Sequence, residues 1–289
     1  MKIRNLVIVL AFFFVHFSCT EPMDIDLIDL SGNRLVVEGC ITSETKSHSV
    51  KLSRTTSYFY EEQPPSVSNA IVTISDGTTV YPLTEDGTTG CYYTANDVAG
   101  LVGKEYVLNI ELTDGEKYTA TSILNPVTPL DSVLYYYGND YIPFTSDFLY
   151  HFFIYTQDPS ETTDYYTWDL YIDNVLYTDT ISKKQLASDD AINGNYIADF
   201  LLFTLEDEEI VNDTTEITIE MRSISKSYYD FFVAMMLETE WKSGLFDGPP
   251  ANVPSNISGD AVGYFLAADV TKATTKVLLR QNSDILFFE

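Results

Sequence analysis

Histidine and cysteine each occur only three times in this 289-residue chain, and that scarcity removes most familiar chemistry at the outset. No His-Glu-x-x-His and no Cys-x-x-Cys is present. This argues against the common kinds of zinc site, and neither a metal nor a cofactor is expected. A Gly-x-Ser-x-Gly elbow, a P-loop and a Rossmann glycine pattern are also missing, so no recognised catalytic motif can be built. Basic residues are few, 16 against 43 acidic ones, for a formal net charge of −27. Such a surface repels phosphate backbones and anionic headgroups, which disfavours nucleic-acid binding and electrostatic adsorption to membranes. No apolar run reaches the roughly twenty residues of a membrane-spanning helix. Carboxylates are so abundant that a pair at glycosidase separation carries no information. Glu206-Asp207-Glu208-Glu209 lacks the spaced ligands and central glycine of a calcium loop and reads as a solvated turn.

What is present begins with an address. Lys2 and Arg4 precede an apolar run from Leu6 to Phe17, closed by Ser18-Cys19. The run is too short to span a bilayer and reads as a secretory signal over residues 1–18. A small residue followed by cysteine resembles the bacterial lipoprotein signal, in which the thiol receives lipid, so Cys19 is the expected lipidation site. His16 and Phe17 depart from that signal's usual leucine and small residue. Residues 19–33, with Asp24, Asp26 and Asp29, read as an acidic tether. Cys40 and Cys91 then remain as the thiols of an exported chain. A disulfide between them would close a loop of roughly fifty residues, worth on the order of 4 kcal/mol, provided that their strands are neighbours. Two buried thiols are the other reading.

From Arg34 the apolar period becomes two, the signature of half-buried strands. Leu35, Val37, Gly39 and Ile41 share a face, as do Val50 with Leu52, Ala70 with Val72 and Ile74, and Tyr106 with Leu108 and Ile110. Asp76-Gly77, Asp86-Gly87 and Asp114-Gly115 punctuate the runs and supply the positive φ of tight hairpins. Seven short strands so punctuated read as a β-sandwich over residues 34–125. One connection, Thr55 to Ser66, is long and carries Tyr58, Phe59 and Tyr60 in succession, either a partner-contact patch or a flap over the sandwich edge.

Asn125-Pro126 and Pro129 mark a boundary, and residues 126–289 read as a second β-rich domain. Strands are expected at 132–137, 148–156, 165–172, 175–180, 198–205, 216–223, 262–268 and 276–279. Phe148 to Tyr155 is apolar on both faces, as for a central strand, and its His151 reads as a core residue. One helix is expected at about 225–242, capped by Ser225 or Ser227, with Tyr228, Phe231, Phe232, Met235, Met236 and Trp241 forming the face that packs on the sheet. A long Pro-rich loop follows at 245–259, in which Phe246, Pro249, Pro250, Asn252 and Asn256 are the first candidates for partner contact.

The segments Leu35-Val36-Val37-Glu38-Gly39 with Ile41-Thr42, Val50 to Thr55, Ala70 to Asp76, Pro249 to Ile257 and Gly263-Tyr264-Phe265 together resemble the Bacteroidota lipoproteins catalogued as domain of unknown function 4249. Cys40 stands where that family is expected to carry a bulky aromatic. The resemblance implies an envelope lipoprotein with an immunoglobulin-like or transthyretin-like first domain, associated with TonB-dependent transporters, and it supplies no catalytic residues. The chain is therefore expected to be a non-catalytic outer-membrane lipoprotein, on the periplasmic face or the cell surface, that accompanies such a transporter or presents a nutrient ligand to it. A glycan-binding surface lipoprotein is the alternative: Tyr165 and Tyr171 project from the face opposite Tyr166, Trp168 and Leu170, and exposed rings stack on sugars. An enzyme of unrecognised type stands third.

Overall fold

A computed structural model describes residues 33–56, 63–139, 147–190, 193–210, 212, 214–239 and 253–278. They fall within one compact unit, 33–289, and the architecture is mainly β. The expected Cys19, the Tyr58-Phe59-Tyr60 run, Trp241 and four of the loop candidates, Phe246, Pro249, Pro250 and Asn252, lie outside the described residues. No helix among the described residues is long and apolar enough to cross a membrane.

The first seven strands are β1 (Leu35–Thr42), β2 (Ser49–Arg54), β3 (Ile71–Ser75), β4 (Val80–Glu85), β5 (Cys91–Tyr93), β6 (Glu105–Glu111) and β7 (Lys117–Ile123). Gly77, Gly87 and Gly115 adopt positive φ at the three expected hairpin turns. The alternating apolar residues point inward as read: Leu35, Val37, Ile41, Val50, Leu52, Val72, Ile74, Tyr106, Leu108 and Ile110 are all buried in one core. β4 serves both halves of the sandwich, pairing with β5 through Thr84 and Glu85 and with β3 through Val80 to Leu83.

The remaining elements are β8 (Leu130–Gly138), β9 (Leu149–Gln157), β10 (Tyr165–Ile172), β11 (Val175–Leu176), β12 (Gln185–Ser188), β13 (Tyr196–Leu205), β14 (Thr214–Ile224), helix α1 (Lys226–Thr239), β15 (Val262–Ala268) and β16 (Val270–Leu278). β13-β9-β8 form a three-stranded sheet with β9 in the centre, in keeping with its apolar residues on both faces. It packs on a five-stranded sheet ordered β11-β10-β14-β16, with β12 added to β10. Phe152, Ile154, Trp168, Leu170, Ile219 and Met221 fill the space between them.

β15 does not join either of these later sheets. It pairs in parallel with β1, from Val36 opposite Val262 to Thr42 opposite Ala268, and places Phe265 and Ala267 in the first core. The same stretch is stitched to the other end of the first sheet. Ile257 bridges to Ala120, and the Ala267 N–H donates to Ser122 Oγ at 2.9 Å. The eight-stranded path β15-β1-β2-β5-β4-β3-β6-β7 thus has its two ends brought together by residues more than a hundred positions away in sequence.

Candidate functional site

Because β15 buries its odd-numbered side chains in the first core, Tyr264, Leu266 and Ala268 face the opposite way, where they meet Cys40 of β1. Helix α1 is laid against this outer face. Ser225 caps it, accepting the Tyr228 N–H at 3.1 Å. Tyr228 meets the Tyr264 ring edge-on at 5.0 Å between centroids, Phe231 lies 5.1 Å from the same ring, and the Ser227 hydroxyl is 2.6 Å from the Tyr264 hydroxyl. Between sheet and helix a cleft of about 550 Å³ remains, lined chiefly by Val36, Cys40, Tyr228, Phe231, Met235 and Leu266, with Arg222 of β14 at one side. Its walls are mainly apolar, with Glu38, Ser49 and Arg222 among the polar groups, and it is open to solvent on one side.

Arg222 in the cleft lining belongs to a line of charges set by strand register. Asp169 on β10 lies opposite Glu220 on β14, which lies opposite Lys272 on β16. Arg222, two residues further on the same face, pairs with Asp169 at 3.1 Å and with Glu220. Lys184 pairs with the other oxygen of Asp169, which also accepts from Thr178 Oγ1 at 2.8 Å. Lys272 bridges Glu220 at 2.9 Å and Glu44 at 2.7 Å, and Lys46 pairs with Glu44. The signs alternate along the whole line from Lys184 to Lys46. Burial alone would raise the Asp169 carboxyl, but the charges of Arg222 and Lys184 hold it below the ordinary carboxylate range. Arg222 is the converse case: burial opposes its charge, and the carboxylates of Asp169 and Glu220 more than offset that. Its charge is matched by two carboxylates, which disfavours an anionic ligand beside it.

The cleft contains a thiol but no partner that would activate it. Burial pushes the Cys40 thiol up, against the weaker opposing effect of Arg222, so the protonated and unreactive form is favoured. Both described histidines are engaged with other groups. His48 accepts the Thr42 N–H at Nδ1 and donates from Nε2 to the Val98 carbonyl at 3.1 Å. His151 is fully buried in β9, its Nε2 donating to the Gly138 carbonyl at 3.1 Å. Both rings are used to satisfy backbone groups.

The expected disulfide is corrected by the strand order. Cys40 and Cys91 are both free. They lie on the same face of the first sheet, but β2 runs between β1 and β5. Two strand spacings, about 9.6 Å, already exceed the roughly 7 Å that a bridge tolerates between Cα atoms. Asn256, the one loop candidate among the described residues, is turned into the fold. Its Nδ2 donates to the Phe265 carbonyl at 2.8 Å and to the Thr121 carbonyl at 3.0 Å, while its Oδ1 accepts the Phe265 N–H at 3.0 Å. Its side-chain amide is thus spent on holding β15 in place. Tyr165 packs on Tyr229 of α1 at 5.2 Å, and Tyr171 lies beneath the Lys272 ammonium at 5.9 Å.

A family model described as a domain of unknown function, DUF4249, matches residues 20–274. The chain belongs to that family. No curated protein matches it. Among solved structures it is similar to the fibronectin(III)-like modules of Clostridium thermocellum CbhA, at 16% identity over 65% of this chain and 82% of that one, with a TM-score of 0.20. Within this DUF4249 member, sequence reasoning missed Arg222 and Tyr264 as cleft residues. The available signal was Arg222 itself, one of few basic residues and set inside the alternating strand Met221-Arg222-Ser223.

Proposed function

We propose that this DUF4249 protein is a non-catalytic outer-membrane lipoprotein that holds a largely apolar ligand in the cleft between β1, β15 and α1 and presents it to a TonB-dependent transporter. The observation that carries the reading is the cleft itself. Its volume of about 550 Å³ and mainly apolar walls suit a small apolar ligand. Its arginine is neutralised, its thiol is pushed towards the protonated form, and the two described histidines are tied to backbone groups elsewhere. A site so furnished favours binding over nucleophilic chemistry, its carboxylate, Glu38, being paired with Lys51 at 3.4 Å. The lipid expected at Cys19 would keep such a binder at the membrane. The glycan reading draws less support, because Tyr165 is covered by Tyr229 and Tyr171 by Lys272.

The test is affinity purification of the tagged full chain from gently solubilised outer membranes, with identification of the co-purifying proteins. A TonB-dependent transporter is expected. It should be recovered less from a Met235→Trp variant, which fills the cleft, and from a variant with Tyr58, Phe59 and Tyr60 replaced by serine, both folding normally. Recovery of no transporter, or unchanged recovery with both variants, overturns the reading.

A further inference from the structure

On the far side of the five-stranded sheet from the cleft, three aspartates from separate places in the sequence converge. Asp158 follows the last residue of β9, Asp164 immediately precedes β10, and Asp189 immediately follows β12. One carboxylate oxygen from each lies within 4.8 Å of the others. That is the span a single ion bridges when its oxygen ligands stand at about 2.4 Å.

The surroundings hold these groups in place without neutralising them. The Tyr166 hydroxyl and the Gly194 N–H donate to the two oxygens of Asp158, at 3.1 and 2.9 Å. Thr162 Oγ1 donates to Asp164 at 2.7 Å, and the Asp189 N–H donates to the Asp164 carbonyl at 3.1 Å, tying the two loops together. Asp158 and Asp189 are 2% and 1% exposed. Yet both carboxylate oxygens of Asp189 lack any hydrogen-bond partner. Among the described residues, no lysine or arginine pairs with any of the three. Burying a carboxylate without a partner is among the costliest arrangements in a protein. Here one is aimed at two further carboxylates, and a cation in their midst removes both the repulsion and the unmet oxygens.

We propose that Asp158, Asp164 and Asp189 bind a calcium ion. The donor set is all oxygen and carries three negative charges, which selects a hard cation over zinc or copper. Irregular loops that can supply a variable number of further carbonyl and water ligands suit calcium, whereas magnesium demands a near-ideal octahedron. The hydrogen bonds from Tyr166, Gly194 and Thr162 are the outer contacts that orient the ligands before the ion arrives. The ion joins the ends of β9, β10 and β12 and so fastens the edge at which the three-stranded and five-stranded sheets meet.

The experiment is thermal unfolding of the full chain in about 150 mM salt, which screens diffuse attraction to the acidic surface. It is run with chelator and with about 5 mM calcium or magnesium, above the roughly 10⁻⁴–10⁻³ M at which external calcium modules bind. Calcium should raise the Tm by about 3 °C or more, and magnesium by much less. Asp189→Asn should raise the Tm in chelator, by relieving repulsion, and abolish the calcium increment. Terbium emission sensitised by the nearby Trp168 or Tyr166 should appear at one ion per chain and be displaced by calcium in the wild type alone. The assignment is overturned by any of three results: no calcium increment and no displaceable terbium signal, an increment retained in both Asp189→Asn and the more exposed Asp164→Asn, or equal increments from the two cations.

Discussion

At the scale of single residues, the line of alternating charges from Lys184 to Lys46 gives each of its inner members an opposite charge on both sides. Glu220 is fully buried and tolerable only because Arg222 and Lys272 flank it. The line carries a pH dependence whose sign follows from its members. Asp169 and Glu44 are both held below their ordinary values. In each case burial acts in the opposite direction, and is outweighed by Arg222 and Lys184 for the first and by Lys272 and Lys46 for the second. A depressed carboxyl contributes stability that is present above its unfolded pKa, near 4, and is lost as pH falls through the folded value. Lys272 is raised by Glu44 and Glu220 against burial, so its contribution persists up to its unfolded pKa, near 10.4, and is lost as pH rises further. Asp169→Asn is therefore expected to cost about 3 kcal/mol at pH 7, by leaving Arg222 and Lys184 short of a carboxylate. Melting curves from pH 7 to pH 3 should then show a shallower acid limb for the variant than for the wild type. Parallel limbs would count against the pairing.

At the scale of elements, β15 decides the shape of the cleft. Its seven residues alternate between the first core and the helix-covered face, so one short strand supplies both Phe265 to the interior and Tyr264 to α1. The parallel pairing with β1 demands glycine at one point. Gly263 has φ +101° opposite Val37, and a Cβ there would stand 2.0 Å from the Val37 carbonyl oxygen. Gly263→Ala is expected to destabilise by about 3 kcal/mol or more and to loosen α1 with it. Asn256→Ala, which strands the Phe265 N–H and carbonyl, should cost about 2 kcal/mol. Denaturant titration gives the energies, and hydrogen exchange over β1, β15 and α1 shows where they act. Exchange unchanged in all three elements would contradict this account. The strand at 262–268 was legible in the sequence as a closing strand, and so were Gly263-Tyr264-Phe265 as a family segment. That β15 runs beside β1 was not, because strand pairing depends on which edge is left open and not on the strand's own pattern.

At the scale of the whole molecule, two cores are built from one chain that crosses to the second and returns. The first draws on Leu35 to Leu124 and then on Ile257, Ala261, Phe265 and Ala267; the second runs from Leu130 to Val277. The cleft is lined by Val37 of the first core and by Tyr264 and Leu266 of the smaller cluster under α1, so binding there is coupled to the packing of β1, β15 and α1. The expected lipid sets where this unit operates. Cys19→Ser is predicted to move the protein from the membrane to the soluble fraction, and mass spectrometry of the wild-type N-terminus should show an acylated cysteine. An unmodified Cys19 in membrane-bound protein would refute the tether.

What the sequence determined by itself is local. Period-two alternation located most strands, Asp-Gly pairs their turns, and Ser225 with the aromatic and methionine stripe the helix, because each depends on residues within a few positions of one another. One strand and half of another escaped it. β12 is four half-buried or exposed residues with no contrast between faces, and the first half of β16, Val270 to Thr274, alternates too weakly to stand out. Only the tertiary structure decided the rest. It interposed β2 between the two thiols, turned Asn256 inward, brought Asp158, Asp164 and Asp189 together, and aligned Asp169, Glu220 and Lys272 across three strands. Each is a relation between distant segments set by strand order and register, and neither leaves a mark in the spacing of residues along a single strand.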